Sequence, residues 1–199
     1  MNTTHPVTHH PRKTDMQGPL DWRRIVEWLH ADKVISEEQA SRTIARCSAA
    51  ESAQHPLVRL ASVSIRRESD NKVLDIEMLT QWLAGHIGMP YLRIDPLKVD
   101  VAKVADAMGA VYAERHRILT VSVSASEITV ATSEPFVVDW VAEVERQSKR
   151  GVRRVLANPQ DIHRYTAEFY ALAKSVKAAN KSGANNTSSF EQLVELGKS

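Results

Sequence analysis

The sequence predicts an α+β fold in which a helical subdomain is followed by a smaller subdomain with a mixed sheet. From Leu20 to Ile87, every periodic segment repeats its apolar residues at spacings of three and four, as amphipathic helices do. Later in the chain, Leu119, Val121 and Val123 alternate with polar residues, which is typical of a strand with one buried face. The second half follows the order β-α-β-β-α-β-α, and helices packed on a small sheet would bury the apolar faces of both.

Length and composition allow one domain or two small ones. The chain has 199 residues, of which 43% are hydrophobic and 25% are charged, which is enough for a sizeable core. The formal charge of +2, from 26 basic and 24 acidic residues, does not indicate a nucleic-acid-binding protein. Cys47 is the single cysteine, so no internal disulfide is possible, and no Cys/His spacing predicts a metal site.

The N-terminal segment carries His, Pro and charged residues but no apolar run of the length that a signal peptide needs. Because it offers little to bury, residues 1–19 are predicted to be disordered. No later segment reaches the ~20 apolar residues that span a bilayer. We therefore expect a cytoplasmic protein that reaches a membrane only through a protein partner.

Three helices are predicted before residue 66. The first covers residues 21–31, and the second begins at a capping box formed by Ser36 and Gln39. The third starts at Pro56, because proline is favoured in the first helical turn. The residues expected to face the core are Trp22, Ile25, Val26, Leu29, Ala40, Ile44, Cys47, Leu57, Leu60, Ala61, Ser64 and Ile65.

A fourth helix leads directly into a strand. Asp75 is the expected N-cap, since its carboxylate can accept a hydrogen bond from the first turn. Gly88 suits a left-handed C-cap and Pro90 cannot continue a helix, so the helix is predicted to end at Ile87. Residues 91–95 are then predicted as the first strand.

The next elements are a short helix capped by Asp100 and a hairpin. The hairpin strands are predicted at residues 119–124 and 128–132, joined by a tight turn. Pro135 is expected to open the following helix and Gly151 to end it.

The last strand, residues 152–157, precedes a strong helix start. Asn158 is a good cap residue, Pro159 suits the first helical position, and Asp161 places a carboxylate where the helix dipole favours it. After this helix the chain becomes polar and lacks core-forming residues. The predicted divisions are a disordered tail (1–19), a helical subdomain (20–87), an α/β subdomain (88–179) and a linker (180–199) towards a further domain.

The run from Leu79 to Asp95 resembles the N-terminal domain of type II secretion and type IV pilus assembly ATPases, an MshEN-like domain. Further matching stretches are Val34-Ile35-Ser36-Glu37-Glu38-Gln39, Arg115-His116-Arg117-Ile118-Leu119, Ile128-Thr129-Val130-Ala131, Asn158-Pro159-Gln160-Asp161-Ile162 and Phe190-Glu191-Gln192-Leu193-Val194. The resemblance implies an adaptor that tethers a hexameric ATPase to the cytoplasmic part of an inner-membrane platform protein. It also implies contacts with the protein's own ATPase domain and with hexamer neighbours.

Some relatives of this domain bind cyclic di-GMP through two motifs that open with Arg-Leu-Gly and carry a second glycine about seven residues later. Here Arg24 and Ile25 match the first two positions, but Val26 and Lys33 occupy the glycine positions. Glycine would permit close backbone approach to a ligand, which larger side chains obstruct. No Arg-Leu-Gly occurs in the region expected for the second copy, between Leu57 and Leu83. The resemblance therefore leaves a regulatory nucleotide site with degenerate residues, Arg24 among them, as the alternative function.

No catalytic residue or cofactor is predicted for this chain. It has no Gly-x-x-x-x-Gly-Lys-Ser/Thr phosphate loop, no Gly-x-Ser-x-Gly elbow and no His-Glu-x-x-His zinc motif. Asp139 and Glu143 share a predicted helix face, as either an acid/base pair or an ordinary solvated face. His86 and His116 lie inside structured segments and are expected to be buried or to face a partner.

Two groups of residues are candidates for docking a partner. Arg150, Arg153 and Arg154 belong to a basic run at a helix end, which either stabilises that end or binds an acidic or phosphate-bearing surface. Trp22 and Trp28 lie six positions apart on the first helix, so we expect that they do not both point squarely at the same core. The tryptophan that does not point at the core is then either an anchor for a partner or an ordinary, partly exposed side chain.

Overall fold

The computed structural model of the protein describes residues 16–196. Residues 1–15 of the predicted disordered tail (1–19) lie outside the described residues. Its last residues do not extend freely, because the Gly18 N–H donates to the Phe136 C=O at 3.1 Å. The backbone N–H of Leu20, the residue that follows the tail, donates to Glu134 at 2.8 Å. The chain is therefore held against the second subdomain before the first helix begins.

Four helices form the first half, and the caps predicted at Ser36, Asp75 and Gly88 are confirmed. Asp21, Ser36 and Asp75 each accept a hydrogen bond from the first turn of their helices, and Gly88 ends the last one in the left-handed region at φ 72°. The helices are α1 (Trp22–Ala31), α2 (Glu37–Ser48), α3 (Pro56–Ala61) and α4 (Ile76–Ile87).

The helical core is built from the predicted faces of α1, α3 and α4. Most of their apolar side chains are almost completely buried, together with Ile35 and Ile65 from the connecting loops, whereas Ala61, Ile76 and Ile87 are half-buried. The inward position predicted for Ser64 is wrong, because α3 ends at Ala61 and Ser64 is exposed with a left-handed backbone at φ 54°. On α2 the prediction for Ile44 is wrong, since this side chain is 39% exposed. Thr43 is buried in its place, and its hydroxyl is satisfied because it donates to the Gln39 C=O at 2.8 Å.

The second half contains the mixed sheet, which confirms the α+β class. The strands β1 and β2 form the predicted antiparallel hairpin, and β3 lies parallel to β2 in the order β1-β2-β3. Two apolar clusters contain alternate residues of these strands, so both faces of the sheet are covered. The elements are α5 (Val101–Ala107), α6 (Ala110–His116), β1 (Ile118–Val123), β2 (Glu127–Thr132), α7 (Val141–Ser148), β3 (Gly151–Leu156) and α8 (Pro159–Leu196).

The prediction of a strand at residues 91–95 is wrong. Only Tyr91 forms a β-bridge, with Leu156, and a 3₁₀ turn begins at Pro96. The neighbouring Pro90 has no N–H to donate, which shortens the pairing. The described sheet therefore has three strands instead of four.

Two helices of the second half also differ from the prediction. The helix expected to open at Pro135 begins at Val141, because residues 134–140 form successive turns. It ends at Ser148 and not at Gly151 as predicted, because Lys149 takes the left-handed conformation (φ 53°) as the C-cap and Gly151 already begins β3. The helix α6 was not predicted, since it has no side-chain N-cap bond and only Ala113 is buried along it.

The helix α8 continues through the segment predicted as a linker. It runs over 38 residues, although the side chains from Lys177 to Gly183 are exposed. After Pro159 this segment contains no proline, and its Ala and Lys residues are good helix formers. A helical extension thus replaces the expected break near residue 180. None of the described helices has a stretch long and apolar enough to cross a bilayer.

Candidate functional site

The junction between the two subdomains is held by a carboxylate from the loop after β2. One oxygen of Glu134 accepts the Leu20 N–H at 2.8 Å, and the other lies 3.3 Å from the His55 Nε2. Burial raises the pKa of Glu134, while the hydrogen bond from Leu20 acts in the opposite direction. Glu134 thus connects the entry to α1 and the start of α3 with the sheet.

His55 makes two backbone contacts, one through each ring nitrogen. Its Nδ1 accepts the Leu57 N–H at 3.1 Å as the cap of α3, so Nε2 carries the proton and donates to the Ser133 C=O at 2.8 Å. Burial lowers the pKa of His55 to about 4. At neutral pH the contact between His55 and Glu134 is therefore not an ion pair.

A second carboxylate joins α4 to the other subdomain. Glu77 accepts a hydrogen bond from the Tyr91 hydroxyl, and its other oxygen accepts from the Asn158 side chain at 2.9 Å. Asn158 is also the cap of α8, where its own oxygen accepts the Gln160 N–H at 2.9 Å. Burial and the contact with Glu77 raise the pKa of Tyr91. One side chain of the helical subdomain thereby positions the first turn of the longest helix.

An aromatic patch lies on the surface beside this junction. It consists of Trp28, Trp82, His86 and Phe136, all half-buried. The ring centroids of Trp28 and Trp82 lie 4.8 and 5.3 Å from that of His86, and Phe136 lies 6.5 Å from Trp28. Asp32 accepts from the Trp82 indole at 3.1 Å and lies 2.7 Å from the His86 Nδ1. The patch combines residues of α1, α4 and the loop after β2, so it is complete only when both subdomains are packed together.

A cleft of about 780 Å³ opens at the same junction, between α3, α6 and the start of α8. Its polar lining includes His55, Glu114, Arg117 and His163. Arg117 ends α6 in the left-handed conformation, at φ 52°. Cationic and anionic groups share the cleft, so its charge alone does not select one class of ligand.

The two tryptophans predicted as docking candidates have different positions. Trp22 is only 8% exposed. The guanidinium carbons of Arg23 and Arg59 lie over its ring, 4.4 and 5.1 Å from the ring centroid. Trp28 belongs to the aromatic patch, yet it also packs against the same core as Trp22. Trp22 thus lies within this core and Trp28 only at its edge, in keeping with the expectation that the two do not both point squarely at it.

Arg24 is exposed on α1 and lines a small cavity of about 250 Å³ with Trp28 and Phe136. Val26, at the first glycine position of the nucleotide motif, is completely buried. Lys33, at the second, keeps the left-handed backbone that glycine favours, with φ 58°.

The nearest match to a second nucleotide motif is Arg59-Leu60-Ala61 on α3. The Arg59 guanidinium donates to the backbone C=O groups of Cys47 and Ala50. It also lies over the Trp22 ring. Arg59 therefore fastens α3 to the end of α2, and its hydrogen bonds are directed at the protein's own backbone.

The basic docking candidates are divided between structural contacts and solvent. Arg150 donates to the Ser124 C=O at 2.8 Å, and Arg154 donates to the Pro135 C=O at 2.7 Å. Arg153 is exposed on β3. Two of these three arginines thus stabilise loops around the sheet, and only Arg153 presents its side chain mainly to solvent.

The residues considered for chemistry have structural contacts. Glu143 accepts hydrogen bonds from the Tyr112 hydroxyl and the Gln147 amide, both at 3.1 Å. The His116 ring stacks against Tyr112 with centroids 4.3 Å apart. Within the described part of the chain, no group of three or more His, Cys, Asp or Glu residues is arranged to hold a metal ion.

Sequence reasoning missed the residues that build the junction. Glu77, Glu134 and His55 were not singled out, since an isolated carboxylate or histidine carries no spacing signal. For His55 a signal existed, because it directly precedes the first-turn proline of α3, where a capping side chain is favoured. Trp82 and Phe136 join Trp28 only through tertiary contacts.

Comparisons with known proteins identify a domain family and a fold. Residues 87–176 match the MshEN domain family. The chain is 34% identical over 147 residues to the type IV pilus assembly ATPase TfpB of Acinetobacter baylyi, with 72% of this chain and 25% of that protein aligned. The chain thus spans about a quarter of the length of that relative.

Among solved structures, one of MshE with cyclic di-GMP (cdg) has a TM-score of 0.55 and 19% identity, and the match covers 74% of this chain and 99% of that one. This likeness concerns the fold. The N-terminal domain of XpsE matches with a TM-score of 0.47 and 13% identity, over 72% of this chain and 92% of that one.

Proposed function

Residues 87–176 belong to the MshEN domain family and the chain is homologous to a type IV pilus assembly ATPase, and from this premise we propose that it is a docking domain of such a motor. In this function it binds the cytoplasmic part of an inner-membrane platform protein and holds the motor there. The chain itself carries out no chemistry, and the ATPase activity belongs to the parent protein. The site of action is the cytoplasmic face of the membrane, reached through the partner.

The observation that carries the proposal is the aromatic patch. Tryptophan is strongly enriched among residues that contribute most to interface affinity, and here Trp28 and Trp82 are half-buried side by side. Half-buried rings lose little conformational entropy when a partner covers them, because neighbouring side chains already hold them in place. The Asp32 carboxylate beside the rings adds an acceptor for a polar group of the partner.

The junction supports the transmission of force between the partner and the motor. Glu77 and Glu134 tie the patch-bearing helices to the second subdomain, and Glu77 also holds the cap of α8. Because α8 continues as one helix to Leu196, a displacement at the patch is carried along a stiff element. In this proposal the helix α8 acts as a rigid lever, in place of the flexible linker expected from the sequence.

The proposal is tested by measuring the affinity of the chain for the purified cytoplasmic part of the platform protein from the same organism. We expect Trp82→Ala and Phe136→Ala to weaken binding by at least about tenfold, the effect of removing an interface anchor. Val111→Ala is the matched control, since Val111 is an apolar residue that is 70% exposed on α6. Docking through the patch would be refuted if the two patch variants, the control variant and the unsubstituted chain all bound with equal affinity.

Cyclic di-GMP binding is the second candidate, favoured by Arg24 at the edge of a cavity and by the left-handed backbone at Lys33. The opposing observation is that Arg59 is used by the protein's own backbone. Calorimetric titration of the chain with cyclic di-GMP decides between them. Binding that Arg24→Ala abolishes supports this candidate, and the absence of heat at saturating nucleotide removes it.

A further inference from the structure

The strand β3 has a free edge at its N-terminal half. In a parallel pair, the N–H and C=O of one residue point to the same side, and successive residues alternate. The Gly151 N–H donates to the Ser126 C=O at 2.9 Å and the Ala157 N–H to the Thr132 C=O at 3.0 Å, so the odd-numbered residues face β2. The backbone groups of Val152, Arg154 and Leu156 therefore point away from β2.

The C-terminal end of this edge is already covered. The Leu156 N–H donates to the Pro90 C=O at 2.7 Å, and the Leu92 N–H donates to the Leu156 C=O at 2.9 Å. If this pairing continued towards the start of β3, the next hydrogen bond would run from the N–H of residue 90 to the Arg154 C=O. Residue 90 is a proline and has no N–H to donate. Gly88, in the left-handed region at φ 72°, turns the chain away before it can supply the next carbonyl.

Consequently the pairing stops and leaves an open stretch. Among the described residues, the backbone N–H and C=O groups of Val152 and Arg154 have no hydrogen-bond partner. Next to them lies a groove of about 480 Å³ whose lining includes Met89, Pro90, Val138 and Arg154. Four polar backbone groups beside a partly apolar groove are the features that strand addition uses, main-chain bonds for affinity and a pocket for side chains.

The charged residues on β3 and immediately before it in the chain are all basic. Lys149 and Arg153 are exposed, while the Arg154 guanidinium donates to the Pro135 C=O and stays beside the groove. A second copy of this chain pairing edge to edge would bring two sets of these cations together, which is unfavourable. An acidic segment would be attracted instead.

We propose that the free edge of β3 binds an extended, acidic segment of a partner protein, which adds to the sheet as a fourth strand. The proposal rests on the docking function for the identity of the partner and specifies the chemistry of the segment that makes contact. The groove also contains Phe136, so the edge is continuous with the aromatic patch.

The test uses amide hydrogen exchange and NMR on the full chain with a defined probe, a blocked peptide of about seven residues that alternates Glu with Val and Thr. In the free chain, we expect the Val152 and Arg154 amides to exchange quickly and the Arg153 and Val155 amides slowly. Saturating peptide should slow the exchange of Val152 and Arg154 about tenfold or more, because their N–H groups become paired.

A proline substitution supplies a sharp control. Val152→Pro removes one outward N–H and leaves the bonds to β2 intact, so it should abolish peptide binding. Val152→Ala removes the same packing and keeps the N–H, so it should still bind. The same peptide with Lys in place of Glu should not bind.

Two results would overturn the proposal. One is slow exchange of Val152 and Arg154 in the free chain, which would mean that the edge is already covered. The other is peptide binding that Val152→Pro leaves unchanged. Loss of platform binding in Trp82→Ala, a patch residue that does not line the groove, is measured separately, so failure of the edge and failure of the docking function are distinguishable.

Discussion

Single residues at the junction show how burial and backbone contacts set their chemistry. The His55 ring satisfies the Leu57 N–H with one nitrogen and the Ser133 C=O with the other, an arrangement available only to the neutral ring. Protonation would place a second N–H against a donor. The pKa of His55 is lowered mainly by burial and also by the Arg117 charge, whereas the hydrogen bond to Ser133 acts in the opposite direction.

This histidine makes stability depend on pH. The folded pKa of about 4 lies below the usual 6.5, so between these values the unfolded chain binds a proton that the folded chain excludes. Stability from this group is therefore present above pH 6.5 and decreases as the pH falls towards 4, by up to about 3 kcal/mol. The raised pKa of Glu134 has the opposite sign and offsets part of the decrease.

We predict that His55→Asn separates the structural and the titrating roles. Asparagine can still cap α3, but the Ser133 C=O loses its donor, so the variant should be less stable at pH 7 by about 1–3 kcal/mol. Between pH 7 and pH 4 the variant should lose less stability than the parent, because the titrating ring is gone. Urea unfolding across this pH range measures both. Parallel pH profiles would contradict the assignment.

Lys33 offers a second prediction at this scale. Its left-handed backbone follows α1, where glycine has no steric penalty. Lys33→Gly should therefore stabilise the protein by up to about 1 kcal/mol in thermal or urea unfolding. Lys72→Gly is the control, because Lys72 lies in an exposed loop and does not have a positive φ, so glycine there should be neutral or destabilising. The idea fails if both substitutions change stability equally.

At the level of elements, local signals predicted most helices, and tertiary contacts altered the rest. The caps at Ser36 and Asp75 were visible in the sequence because a cap involves residues only a few positions apart. The helix expected at Pro135 begins later, since the segment from Glu134 to Phe136 instead contacts the N-terminal segment. No local pattern announces such a contact.

The helix α8 leads to a prediction about its extension. Lys177 still reaches Asp106 of α5, at 3.4 Å, but residues 178–183 beyond it are exposed, so this part is held by helix propensity instead of packing. Lys181→Pro, a substitution that costs about 3 kcal/mol inside a helix, should reduce the far-ultraviolet circular dichroism while leaving the midpoint of thermal unfolding unchanged. Lys181→Ala should alter neither quantity. A lowered midpoint in the proline variant would mean that the extension packs against the body.

For the whole molecule, the junction decides whether the two subdomains act as one. Glu77 and Glu134 form their bonds at separate places along the same interface, and the core of the helical subdomain also includes Leu156 of β3. Unfolding of the parent should therefore be a single cooperative transition. The same cooperativity would let a partner bound at the patch move both subdomains.

We predict that removing both carboxylates uncouples the subdomains. In Glu77→Gln, the amide N–H₂ faces the donor groups of Tyr91 or Asn158, and in Glu134→Gln the hydrogen bond from Leu20 is weaker. Each substitution should lower the free energy of unfolding by about 1–3 kcal/mol. The double variant should show two transitions in calorimetry, whereas each single variant keeps one. Glu27→Gln, on the exposed face of α1, is the matched control and should behave as the parent. One transition in the double variant would show that apolar contacts alone maintain the junction.

The sequence by itself determined the α+β class, the helix faces, the caps and the hairpin, because each depends on neighbours a few positions apart or on a period of two or three to four residues. Only the tertiary structure decided which polar groups join the subdomains, since Glu77 meets Asn158 across 81 positions and Leu20 meets Glu134 across 114. It also decided where the sheet ends, because the open edge of β3 depends on Pro90, far away in the chain, supplying a carbonyl but no N–H.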